Sequence, residues 1–158
     1  MSAPRDDTRV RRRGRGDPIL DAALASAGIA VVDDVDATLI HVLPHIGDLA
    51  DLSPVLVAWA ADARSALGAG AAMLTVIDAH GFDTDEVPAA MLAHGAVAAT
   101  RSLAMEGARD GVRANLLVLD PHVDPSEVAA TVLWLESASS VTAEIVHLGA
   151  VRHGKQPV

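Results

Sequence analysis

An α/β fold with a mostly parallel sheet is the architecture this chain predicts, on three observations. Short apolar runs alternate with helical segments of ten or more residues, the pattern of strands joined by helical crossovers. The strand candidates are apolar on both faces, as strands covered by helices on either side must be. Apolar residues make up 51% of the 158, yet they are mostly Ala, Val and Leu, and Trp59, Phe82 and Trp134 are the sole aromatics. That composition suits closely packed helices on a β-branched sheet, in one domain large enough for a sizeable core.

The elements follow in order. Asp17-Pro18 is an N-cap followed by proline at the first helical position, and Ile19, Leu20, Ala23 and Leu24 share one face of a helix that Gly28 ends. Residues 29–32 read as a short strand before the acidic turn Asp33-Asp34, and residues 37–43 as a second strand. A helix from Pro54 to Leu67 closes at Gly68 and Gly70, and residues 72–77 form a third strand. A long helix starts near Pro88, and residues 112–119 return as a strand. Asp124-Pro125-Ser126-Glu127 opens the next helix with a cap, a proline and a first-turn acid. Residues 145–148 make the last strand.

Charge is distributed unevenly. Residues 1–16 hold six arginines against Asp6 and Asp7, a local +4, so the other 142 residues carry −13 of the net −9. The expected division is a disordered basic leader over residues 1–16, a folded domain over 17–150 and a tail over 151–158. The leader has no aromatic to stack on bases and the body is acidic, so nucleic acid is not an expected partner. No apolar run reaches membrane-span length and no signal-type h-region is present, which predicts a cytoplasmic protein without a membrane partner. With no cysteine there is neither a disulfide nor a thiolate site.

The segment from Thr100 to Asn115, TRSLAMEGARDGVRAN, resembles the T-R-x-L-A-x-E-x-A-x-x-G-I-R-x-N segment of the short-chain dehydrogenases/reductases. The likeness extends over most of residues 37–150. ATLIHVLP stands where that family has a strand ending Asn-Asn-Ala-Gly, and AAMLTVIDAHG resembles the strand ending in its catalytic Ser. PSEVAATVLWLESASSVTAEIVHLGA is similar to its closing helix and strand. The resemblance implies a truncated Rossmann-like, doubly wound sheet. Residues 17–36 match only loosely the second helix and strand of the nucleotide-binding half, and the first strand with its Gly-rich loop is expected to be missing.

By the same resemblance the chemical parts are gone. The family's Tyr and Lys have no counterpart near 89–91 and 93–95: the chain contains no Tyr, and its single Lys is Lys155. Asp78 falls at the Ser position, and the only Asn, Asn115, matches a structural Asn rather than the catalytic one. No catalytic, cofactor-binding or metal-binding residue is therefore assigned, since hydride transfer has no acid–base agent. Gly14 and Gly16 are not expected to follow a strand, so they make no dinucleotide loop.

One constellation offers an alternative site: His41 and His45, Asp78 and His80, and Asp120 and His122 all fall near strand ends, where open α/β sheets place function. The plain reading is that polar residues populate loops. Three classes of function follow. The first is a non-catalytic subunit pairing with a full-length reductase of the same family, NAD(P) entering only through that partner, with Trp59, Leu67, Ala98, Leu103 and Met105 as interface anchors. The second is an enzyme of different chemistry at the His/Asp crevice. The third is a free-standing binding module or a decayed gene product.

Overall fold

A computed structural model describes residues 8–149. The chain runs β1 (Arg9–Gly14), α1 (Pro18–Ser26), β2 (Ala30–Val31), β3 (Thr38–Val42), α2 (Leu49–Ala69), β4 (Met73–Asp78), a 3-10 turn (Ala79–Phe82), α3 (Val87–Gly107), β5 (Ala114–Leu119), α4 (Pro125–Ser137) and β6 (Ile145–Leu148). All strand pairs are parallel, in the order β2-β1-β3-β4-β5-β6. The order reverses at β1, so the sheet is doubly wound, with the switch point between β1 and β3.

Each face has its own core. Val10, Ile40, Val42, Leu74, Val76 and Leu117 point toward α1 and α4, with Leu20, Leu24, Val128 and Val132 opposite them. Leu39, Met73, Ile77, Ala114, Leu116 and Val118 point the other way, against Trp59, Ala63 and Ala66 of α2 and Leu92, Ala96 and Leu103 of α3. The period of two along each strand assigns the faces, and helices on both sides explain the doubly apolar strands.

The largest correction concerns the arginine-rich segment. Residues 9–14 are not a leader but β1, an inner strand of the sheet, pairing Val10 with both Val31 and Thr38. Residues 1–7 and the tail lie outside the described residues. Alternation divides the arginines. Val10, fully buried, faces α1, and so does Arg12, which binds Asp21. Arg9, Arg11 and Arg13 face the opposite side, where Arg11 lies under α2 and donates to Ser65 Oγ at 3.3 Å.

Arg9 and Arg13 are served by the next connection. Parallel strands of one sheet are ordinarily joined by a crossover of a dozen residues or more, yet only residues 32–37 link β2 to β3, which flank β1 on either side. That is possible because β2 is two residues long and sits at the N-terminal end of β1. No helix covers this edge from the link, and its Asp34 and Asp33 pair instead with Arg9 at 3.3 Å and Arg13 at 3.5 Å. The acidic turn and the basic strand are one electrostatic unit.

Smaller differences have local causes. Helix α2 begins at Leu49, capped by Asp48, so Pro54 lies inside it rather than at its start. Arg113 caps the other end of the molecule: its guanidinium donates to the carbonyls of Leu135, Glu136 and Ala138 at the C-terminus of α4. Asn115 is structural, as its position implied. Its amide donates to Val141 O at 3.1 Å and its carbonyl accepts from Glu144 N at 3.0 Å.

Candidate functional site

The carboxyl ends of β1, β3, β4 and β5 define the edge where an open α/β sheet carries its ligands. At the switch point β1 ends in Gly14, with φ +83°, and a Cβ there would lie 2.0 Å from Val42 O. Only glycine allows this approach. Gly14-Arg15-Gly16 thus follows a strand and precedes a helix, contrary to the sequence-based expectation. The helix end itself is filled. Asp17 Oδ1 accepts from Ile19 N at 3.0 Å and Leu20 N at 2.9 Å, while Pro18 has no N–H to offer. A carboxylate of the chain occupies the amides that a bound anion would use.

The six strand-end residues do not assemble together. His41 lies within β3, 3% exposed, and its Nδ1 is 2.7 Å from Asp62 Oδ2 on α2. Beside it Trp59 Nε1 donates to Thr75 Oγ1 at 2.9 Å, so a polar seam joins α2 to the sheet. His41 belongs to that seam and not to the edge. Asp78 and Asp120 form matching turns, their Oδ1 atoms accepting from His80 N at 2.7 Å and His122 N at 2.8 Å. Both carboxylates are engaged in shaping their loops.

Three other side chains do converge. The donor atoms of His45, His80 and Glu86 all lie within 4.8 Å of one another. His45 Nε2 is 3.4 Å and His80 Nε2 3.8 Å from Glu86 Oε2, and the two imidazole centroids are 5.4 Å apart. Local packing brings them there. Gly81 is buried against α3, where a Cβ would meet Ala93 Cβ at 2.8 Å and Ala89 O at 3.0 Å. This seats the 3-10 turn, and His80 with it, on the first turns of α3. Thr84 Oγ1 then accepts from Glu86 N at 3.1 Å. His45 and His80 were legible as strand-end residues. Glu86 was not, because only the folded loop brings it alongside them.

The anchors assigned to an interface divide into two groups. Trp59 and Leu103 face inward and belong to the core, and Leu67 is half-buried against it. Ala93 and Ala96 likewise face inward, where Ala93 accommodates Gly81. Ala98 and Met105 are exposed, and with Met91 they form a stripe at seven-residue spacing along α3, Met105 being 73% exposed. On α2, Leu49 and Val57 are exposed, with Leu52, Ser53, Leu56 and Ala60 beside them along a shallow surface depression in which Leu52, Leu56 and Ala60 also pack against the core. Among the described residues no helix is long and apolar enough to cross a membrane.

No protein-family model matches the chain, and no curated protein matches it by sequence. Solved structures do match. A short chain dehydrogenase from Mycobacterium smegmatis is similar over 91% of this chain and 93% of its own, with a TM-score of 0.66 at 18% identity. A short chain dehydrogenase/reductase family oxidoreductase from Brucella ovis, in complex with a partially ordered NAD, is similar over 90% of this chain and 100% of its own, at 0.64 and 15%. One from Burkholderia thailandensis is similar over 90% and 91%, at 0.65 and 15%. Likeness at such identities establishes architecture, and the chain has the fold of the short-chain dehydrogenases/reductases.

Proposed function

We propose that this chain is a non-catalytic subunit that pairs with a full-length NAD(P)-dependent reductase of the same fold and supports it. The observation that carries the reading is the exposed apolar surface on adjacent α2 and α3. Met91, Ala98 and Met105 on one helix and Leu49 and Val57 on the other are exposed, on helices packed against each other, and apolar surface marks interaction sites where it is contiguous. Ala98 between two methionines permits close approach of a partner helix.

Two features support a lack of catalysis. The chain contains no Tyr, and its single Lys lies in the tail at position 155. Asp17 capping α1 is a poor fit for a pyrophosphate, since a second anion would meet its carboxylate and not free amides. NAD(P) would therefore enter through the partner's own site.

Sedimentation of the chain alone and co-expressed with an intact reductase from the same genome tests the reading. Self-association alone, and a heteromer of fixed stoichiometry on co-expression, are expected. Ala98→Glu, which places a charge in the stripe, should dissociate that heteromer. A well-behaved monomer that retains no reductase would refute the pairing. Micromolar binding of NAD(H) or NADP(H) to the isolated chain in titration calorimetry would refute the cofactor part.

A further inference from the structure

We infer that His45, His80 and Glu86 form a binding site for a divalent transition metal, zinc by preference, independent of the subunit reading. The donor set is two imidazoles and one carboxylate, a borderline-soft combination that zinc accepts in three-ligand sites. The spacing favours a metal site over a hydrogen-bonded cluster. Good hydrogen bonds between such groups lie at about 2.7–3.2 Å, and neither His45–Glu86 at 3.4 Å nor His80–Glu86 at 3.8 Å reaches that range. A tetrahedral zinc with bonds of about 2.0–2.1 Å holds its donors about 3.3–3.4 Å apart. The first distance matches that edge, the second needs a shift of a few tenths of an ångström, and the two imidazole donors, within 4.8 Å of each other, must close toward the same spacing, movements within the reach of half-exposed side chains.

The position of Glu86 leaves its carboxylate available to the cluster. Among the described residues five acids occupy N-cap positions, and Asp17, Asp48, Asp78 and Asp124 each accept a backbone N–H of the helix or turn they precede. Glu86 stands at the same position before α3 but makes no such bond, as its longer side chain leads one to expect. Its carboxylate is therefore free of the helix end and lies beside the two imidazoles. The three side chains come from two loops, His45 from the connection after β3 and His80 with Glu86 from the connection between β4 and α3, so a bound metal would tie the carboxyl edge of the sheet to the start of the long helix. Side-chain exposures of 44%, 47% and 53% leave the fourth position open to water, the arrangement of reactive rather than closed structural sites.

The test uses the full chain without a histidine tag, stripped with a chelator and then titrated with Zn²⁺ against a chromophoric competitor. Co²⁺ substitution reports geometry through its visible absorption. One zinc per chain and a tetrahedral cobalt spectrum are expected. His45→Ala, His80→Ala and Glu86→Gln should each weaken binding by at least about 100-fold, more than losses of supporting residues around a metal usually cost. All three side chains are exposed, so far-UV circular dichroism should show folded variants. His122→Ala, at the neighbouring strand end, should bind as the parent does. Absence of saturable zinc binding, or His45→Ala and His80→Ala variants that bind like the parent, overturns the site.

Discussion

Arg11 is where the structure makes its sharpest energetic statement. It is 5% exposed, its Nε has no partner among the described residues, and one guanidinium N–H donates to Ser65 Oγ at 3.3 Å. A guanidinium cannot shed its proton to escape burial. Desolvating it costs several kcal/mol, and a single long hydrogen bond returns about 1.5–3 kcal/mol at most. Arg11→Met keeps an unbranched stem packed beneath α2 and removes the charge. The expected result is stabilisation by about 1–3 kcal/mol, with the melting temperature rising about 2–4 °C per kcal/mol in a chain of this length. The control is Arg13→Met: its side chain is half exposed and paired with Asp33 at 3.5 Å, and removing it should change stability by less than about 0.5 kcal/mol. Urea midpoints at unchanged slope measure both. If Arg11→Met lowers the midpoint below that of Arg13→Met, burial of this charge is not unfavourable and the account of β1 is wrong.

Two further outcomes are expected. Ala143 adopts φ +64° ahead of β6. Ala143→Gly should relieve about 1–2 kcal/mol of left-handed strain against about 0.4–1 kcal/mol of added unfolded-state entropy, a net gain of about 0.5–1 kcal/mol in thermal or urea unfolding. Asp124, exposed at the start of α4, has its carboxyl held below the ordinary 3.8 by hydrogen bonds from Ser126. The depressed folded value means its contribution is present above pH 3.8 and lost as pH falls through the lower value. Asp124→Asn keeps an acceptor without the charge, so the gap between parent and variant should close on acidification, and a gap independent of pH would contradict this.

The sequence by itself determined what local chemistry and simple counting determine. Asp17-Pro18 and Asp124-Pro125 start helices because a carboxylate satisfies free amides and proline lacks one, and both helices begin where those residues place them. The last strand is legible at residues 145–148, and the Thr100–Asn115 segment pointed to the architecture that the solved structures share. The absence of Tyr needs no structure at all.

Tertiary structure decided the rest, because the deciding partners lie far along the chain. In Arg9–Gly14 a single buried valine carries the apolar signal, and the arginines become compatible with a strand only when Asp21, Asp33, Asp34 and Ser65 surround them. Helix periodicity marked Trp59 and Leu103 as apolar without saying which side the sheet would take, and both turned inward. His41 left the strand-end group because the pleat aims it at Asp62, twenty-one residues away on α2. Glu86 joined His45 and His80 for the converse reason. Local spacing places a residue on an element, but only packing of one element on another, here Gly81 against Ala89 and Ala93, folds the β4–α3 connection so that His80 and Glu86 meet His45 from the loop after β3.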